Sequence, residues 1–309
     1  MTLYEKENGE IVIIKEEELE EIRKQLGKVA AAREGENGFK FVDLATVNAC
    51  FLHLTDGNSK TGKAWNFNLP IEYSCTHCCE CYKRKLCYAM QNCYNFTSNQ
   101  IQYSENLAFF INHSSEQFVH AVNLAIASAN IHLYRWFTCG DIYSPRFFAC
   151  MVQIAIDNPT VKFWAYTKRY ATVNNWIREN GELPKNLRII FSHWMNEDGS
   201  YFPMENPYNL PTSEFVPMGR EDLLAMITHV CPCSDPNSTA TCATCDRPCY
   251  ELNNGESMGL CEHSTAKTKK RDNELREAKK AAKAAAREAA KAAKAAAKAG
   301  KQGRGKKSA

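Results

Sequence analysis

The chain has 309 residues, 44% of them hydrophobic, enough to bury the core of one large domain or two ordinary ones. No run of about 18 apolar residues occurs, which argues against a membrane-spanning helix, and the charged start MTLYEKENGE lacks the apolar stretch of a secretory signal. The net charge of +3 hides an asymmetry, because residues 264–309 carry 16 Lys/Arg against 4 Asp/Glu, a tail of +12 after an acidic body of −9.

A cytoplasmic protein is therefore expected. Its 15 cysteines would not be disulfide-bonded in a reducing compartment, and clustered thiols there read as metal ligands or catalytic groups.

In chain order, Lys15–Arg33 is rich in helix formers, with acidic residues early and basic ones late, and Gly35 and Gly38 are expected to end it. From Phe39 to Leu69 the pattern turns extended, with strict alternation in WNFNLP. Gly57–Ala64 nearly spells a phosphate-binding loop, but Ala64 stands where Ser or Thr should bind magnesium, and a strand follows where a helix should. A hairpin turn is expected there instead.

The segment CTHCCECYKRKLCYAMQNC then places Cys75, Cys78, Cys79, Cys81, Cys87 and Cys93 within 19 residues. Thiolates are soft ligands suited to zinc and iron–sulfur clusters, and close spacing in a loop lets three or four converge. Two helices are expected next, Asn99–Asn112 and Ser115–Ala129.

The middle of the chain alternates clearly. Ile131–Phe137, Val161–Tyr166 and Leu187–His193 read as strands; Pro145–Asp157 and Ala171–Asn180 read as helices. Such β-α-β-α-β order implies parallel strands with right-handed crossovers. A full or partial barrel and an open sheet both fit. In each, chemistry sits in the loops after the strands: Thr138-Cys139-Gly140-Asp141, Thr167-Lys168-Arg169 and Trp194-Met195-Asn196. Asp141 reads either as a cofactor ligand beside Gly140 or as a turn residue ahead of the helix at Pro145. Lys168 and Arg169 could hold a carboxylate or phosphate. His193 reads as an acid–base group or as a packed ring.

Residues 200–220 look like a long loop, and Glu221–His229 like a short helix. A second cysteine group follows. Cys242-x2-Cys245-x3-Cys249 is compact, Cys231 or Cys233 can supply a fourth ligand, and turn formers lie between. Zinc and an auxiliary iron–sulfur cluster both fit. Beyond residue 270, Lys280, Lys283, Arg287, Lys291, Lys294 and Lys298 recur on one face of an alanine-rich helix. Such a stripe suits the nucleic-acid backbone.

Four regions are thus expected: a charged helical extension (1–40), an α/β core with the first cysteine cluster (41–225), a cysteine-rich metal-binding module (226–265) and a basic tail (266–309).

The ordered motifs Gly57–Gly62, Phe67-Asn68-Leu69-Pro70, Cys75, Cys87-Tyr88-Ala89, Cys139–Ile142, Trp164–Lys168 and the group around Cys242 and Cys245 together resemble the phage gene product 88 family over about residues 50–263. The Cys-Tyr-Ala element and the Gly-Asp turn are also similar to phage proteins related to radical S-adenosylmethionine barrels. That second resemblance implies a 4Fe–4S cluster held by Cys75, Cys81 and Cys87, with Cys79 as substitute. It also implies S-adenosylmethionine as cofactor, with Gly140, Asp141 and Lys168 positioning cofactor or substrate, and an auxiliary site at Cys233, Cys242, Cys245 and Cys249. The competing class is a zinc-binding nucleic-acid protein without enzymatic activity.

Overall fold

A computed structural model describes residues 1–34, 40–57, 61–75, 87–91, 94, 96–194, 201–216, 221–234 and 238–261. The described residues belong to one compact unit.

The N-terminal residues are not simply a helical extension. Strands β1 (Thr2–Glu5) and β2 (Ile11–Ile14) form an antiparallel hairpin, and β1 also pairs with β5 (Phe51–His53). Helix α1 (Glu16–Leu26) is shorter than expected. It stops at Gly27, whose φ of 65° lets its N–H bond back to the carbonyls of Arg23 and Lys24. The chain then extends into β3 (Ala32–Glu34), which pairs with β4 (Lys40–Val42). Arg23 ties α1 inward through a 2.6 Å bond to the buried Glu105, whose carboxylate also meets His53 at 2.7 Å.

The centre is a parallel sheet of seven strands among the described residues. They are β6 (Trp65–Phe67), β7 (Leu133–Trp136), β8 (Lys162–Thr167), β9 (Leu187–His193), β10 (Thr212–Val216), β11 (His229–Val230) and β12 (Ser257–Cys261). The order is β11-β12-β10-β9-β8-β7-β6, with β6 and β11 at the edges. Five successive strands, β6 to β10, are thus neighbours in sequence order. Right-handed crossovers in that order keep the connecting helices on one face, as in part of a barrel, whereas a doubly wound sheet reverses direction.

Those helices follow the sequence closely: α4 (Thr97–Asn112), α5 (Ser115–Ser128), α6 (Pro145–Asp157) and α7 (Tyr170–Asn180). Among the described residues, two single turns precede them, α2 (Ile71–Ser74) and α3 (Tyr88–Gln91). Ser114 caps α5 through Gln117 N–H, and Ser144 caps α6 through Phe147 N–H, with Pro145 in the first turn.

The period-2 pattern of the strands divides the sheet cleanly. Tyr134, Trp136, Phe163, Ala165, Ile189 and Phe191 join the main core with Phe118, Phe147 and Val173 from the helices. Trp164 and Ile190 point the other way and pack with Ala64, Leu252 and Met258. Partly buried Tyr166, Cys231, Cys242 and Cys249 complete that second cluster. The cysteine-rich segment therefore covers the helix-free face. It is built into the sheet, since β12 inserts between β10 and β11. The helix expected over Glu221–His229 is a 3₁₀ segment, Glu221–Met226, because His229–Val230 leaves it to pair with β12.

Gly57 and Gly62 lie close together ahead of β6, and the space a side chain at Gly62 would need is taken by Thr241 and Ala243. The described part of the near phosphate-binding motif thus packs under the second cysteine segment and leads into a strand.

Candidate functional site

The loop after β7 is fixed by Asn68. Its Oδ1 accepts from Thr138 N (2.8 Å), Thr138 Oγ1 (2.8 Å) and Cys139 N (3.0 Å). Gly140 follows with φ of 92°, and a Cβ there would stand 2.6 Å from the Leu69 carbonyl and 2.9 Å from Ser74 Oγ. Only glycine lets the loop lie this close to α2.

The fold aims Asp141 inward. Its Oδ1 accepts from Ile142 N at 2.7 Å and Thr167 Oγ1 at 2.5 Å, and its Oδ2 accepts from Lys168 N at 2.9 Å. Its own N–H donates to Ser74 Oγ at 3.2 Å. Burial pushes this carboxyl up from its ordinary range, against the pull of Thr167 and the backbone donors. With three donors on the carboxylate, Asp141 positions the loops after β7 and β8.

Lys168 reaches past that junction. Its Nζ donates to Ser192 Oγ at 3.1 Å and lies 5.4 Å from the centre of the Trp194 ring. Arg169 turns toward α2, donating to the carbonyl of Ser74 from Nε (3.2 Å) and Nη2 (2.7 Å) and to that of Cys75 from Nη2 (3.3 Å). The guanidinium thereby fixes the peptide that carries Cys75.

Cys75 and Cys87 share a small core with Phe41, Ile71, Ala89, Met90, Tyr94, Tyr103 and Cys139. Burial pushes the Cys75 thiol well up, with Cys87 and Asp141 acting the same way and Lys168 opposing them. Cys75 thus lies within electrostatic reach of a second thiol, a carboxylate and an ammonium at the carboxyl end of the sheet. The other expected ligands of this cluster, Cys79 and Cys81, lie outside the described residues, as do Cys78 and Cys93.

Sequence reasoning missed Glu72. It is buried beside this core and accepts from Tyr94 Oη at 2.5 Å, and burial pushes its carboxyl up to about 7. The signal was present as a lone acid in the apolar run LPIEYSC. His193, in contrast, pairs with Glu214 at 2.9 Å and stacks on Tyr201 at 4.2 Å.

The second group lies on the helix-free face. Cys231, Cys233, Cys242, Cys245 and Cys249 line one cavity of about 20 Å³ together with Trp164, Tyr250 and Met258. Cys261 instead packs near Val216 and Leu223. Among the described residues, no group of three or more His, Cys, Asp or Glu is drawn up around a single metal position. The donor chemistry of both cysteine groups nonetheless suits a thiophilic metal.

The family model for gene product 88 matches residues 48–208. This chain belongs to the gene product 88 family. The match covers β5 through the loop before β10 and therefore includes Cys75, Cys87, Gly140, Asp141, Lys168 and Arg169. No curated protein matches the chain, and no solved structure does either. The likeness to radical S-adenosylmethionine proteins accordingly rests on its motifs alone. Among the described residues, no helix is long and apolar enough to cross a membrane.

Proposed function

We propose that this chain is a phage-type iron–sulfur enzyme of radical-S-adenosylmethionine-like character that acts on or near nucleic acid. One observation carries the reading: Cys75 and Cys87 pack against one small core with Cys139, at the carboxyl end of a singly wound parallel sheet, and Cys75 lies within electrostatic reach of Asp141 and Lys168. Ligands in βα folds bind at that end.

Cys75 and Cys87, with Cys81 or Cys79 as the third thiolate, would hold a 4Fe–4S cluster. When bound, such a cluster supplies one electron to S-adenosylmethionine. The protein's own groups do the rest. Lys168 offers an ammonium for a carboxylate or phosphate, Arg169 holds the Cys75 peptide in place, and Asp141 locks the two loops that carry Gly140 and Lys168. The basic tail, residues 266–309, would recruit nucleic acid through its phosphates.

A second reading, a zinc protein that binds nucleic acid without catalysis, is favoured by the C-terminal cysteine cavity, whose 20 Å³ suits one ion better than a cluster. Anaerobic purification with elemental analysis separates the two. Stoichiometric iron and sulfide, with colour bleached by dithionite, supports the enzyme and justifies assaying S-adenosylmethionine cleavage. Zinc without iron, even from iron-replete anaerobic cells, supports the second reading and removes the first.

A further inference from the structure

We infer that the cavity on the helix-free face is a four-thiolate zinc site formed by Cys231, Cys242, Cys245 and Cys249, with Cys233 outside the ligand set and Arg135 as its buried countercharge. This inference is independent of the reading of the sheet's carboxyl end, which concerns other cysteines.

Convergence comes first. Cys231, Cys233, Cys242, Cys245 and Cys249 line one cavity beside Trp164, and Cys231, Cys242 and Cys249 pack against the same cluster on the sheet face. The Cys242-x2-Cys245 spacing is that of a zinc knuckle. Its turn is closed by the Thr244 N–H donating to the Thr241 carbonyl at 3.0 Å.

Hydrogen-bond polarity then sorts the five sulfurs. A ligand is a thiolate and can only accept; a thiol that donates keeps its proton. Tyr166 Oη donates to Cys249 Sγ at 2.7 Å. Cys242 and Cys245 follow from their knuckle spacing. Cys233 behaves oppositely, since its Sγ donates to the Ala240 carbonyl at 3.1 Å. Cys231 is therefore the fourth ligand, where sequence alone left Cys231 and Cys233 open and the compact set Cys233, Cys242, Cys245, Cys249 was expected.

Charge supplies the third argument. A divalent ion with four thiolates carries a net charge of about −2, which a covered site must offset. Arg135 comes up from the middle of β7, its guanidinium 5.1 Å from the Tyr166 ring centre and within electrostatic reach of Cys231, Cys242 and Cys249. Its Nε and the Nε1 of Trp164, which lines the cavity, are buried without a hydrogen-bond partner. Unpaired N–H groups beside the cysteines suit an anionic metal–thiolate centre. The cavity of about 20 Å³ accommodates one ion. Binding would draw the sulfurs inward to about 2.3 Å from the metal, and it would staple β11 and β12 onto the sheet.

The test uses the full-length protein and zinc. Native protein is treated with a maleimide before and after a zinc chelator, and each cysteine is read by peptide mass spectrometry. Expected is protection of Cys231, Cys242, Cys245 and Cys249 that the chelator abolishes together, while Cys233 labels equally in both states. In parallel, Cys231→Ser should lose about one zinc per chain and Cys233→Ser none. Protection of Cys233 in place of Cys231, no chelator effect on any of the five, or iron and sulfide bound at these residues would each overturn the assignment. Loss of iron in Cys75→Ser reports only on the sheet's carboxyl end, so the two readings fail separately.

Discussion

The backbone N–H of Lys168 donates to the carboxylate of Asp141 at 2.9 Å, fastening the loop after β8 to the loop after β7. The same carboxylate takes the Thr167 hydroxyl and the Ile142 N–H. Removing it leaves buried donors unsatisfied. Asp141→Ala should cost about 3 kcal/mol and Asp141→Asn, which keeps one acceptor oxygen, about half of that. Urea unfolding checks this, and equal costs for the two variants would mean that cavity formation, not the hydrogen bonds, dominates.

Glu72 makes stability pH-dependent. Its carboxyl is raised from 4.5 to about 7 by burial, so the folded state holds its proton more tightly than the unfolded chain does. That contribution is fully present below about pH 4.5 and is lost as pH rises through about 7, a change of about 3 kcal/mol. Glu72→Gln, which still accepts from Tyr94, should therefore melt higher than the parent above pH 7 and close to it at pH 5. Parallel melting curves for the two proteins across this range would contradict the assignment.

Lys168→Met removes the ammonium while keeping the stem. Iron content should be unchanged, and S-adenosylmethionine affinity should fall by roughly tenfold or more, the worth of one charge-assisted hydrogen bond. Isothermal titration on reconstituted protein measures it. Unaltered affinity would remove Lys168 from the cofactor's surroundings.

Truncation after His263 removes the +12 tail. Binding to double-stranded DNA or RNA at low salt should drop steeply, and the remaining affinity should lose most of its salt dependence. Filter binding at several salt concentrations tests this, and an unchanged salt slope would place the nucleic-acid contact elsewhere.

The alternating β-α-β-α-β centre was legible in the sequence because its apolar period switches cleanly, and Pro145–Asp157 and Leu187–His193 match their elements residue for residue. The family was legible for a related reason, since motifs such as Phe67-Asn68-Leu69-Pro70 and Cys139-Gly140-Asp141 report close local fits. Asn68 and Gly140 show what those fits are: an acceptor for three donors and a position with no room for a side chain. The N-terminal hairpin was not legible. Thr2–Glu5 and Ile11–Ile14 are short and flanked by charge; Thr2–Glu5 gains its strand character from pairing with β5 some 50 residues away, and Ile11–Ile14 from pairing with Thr2–Glu5. Glu221–His229 was misread for the same reason, because pairing with β12 outweighs local helix preference.

By itself, the sequence determined the parallel βα core, the family, and two groups of cysteines whose chemistry is that of soft-metal ligands. Local periodicity and side-chain chemistry suffice for these. Only the tertiary structure decided that the second cysteine group lies over Arg135 and Tyr166 on the helix-free face, that Asp141 is bound by donors from two loops, and that Arg169 holds the Cys75 peptide. These relationships join residues tens of positions apart. Strand order and the pairing of distant segments create them, and no local pattern encodes either.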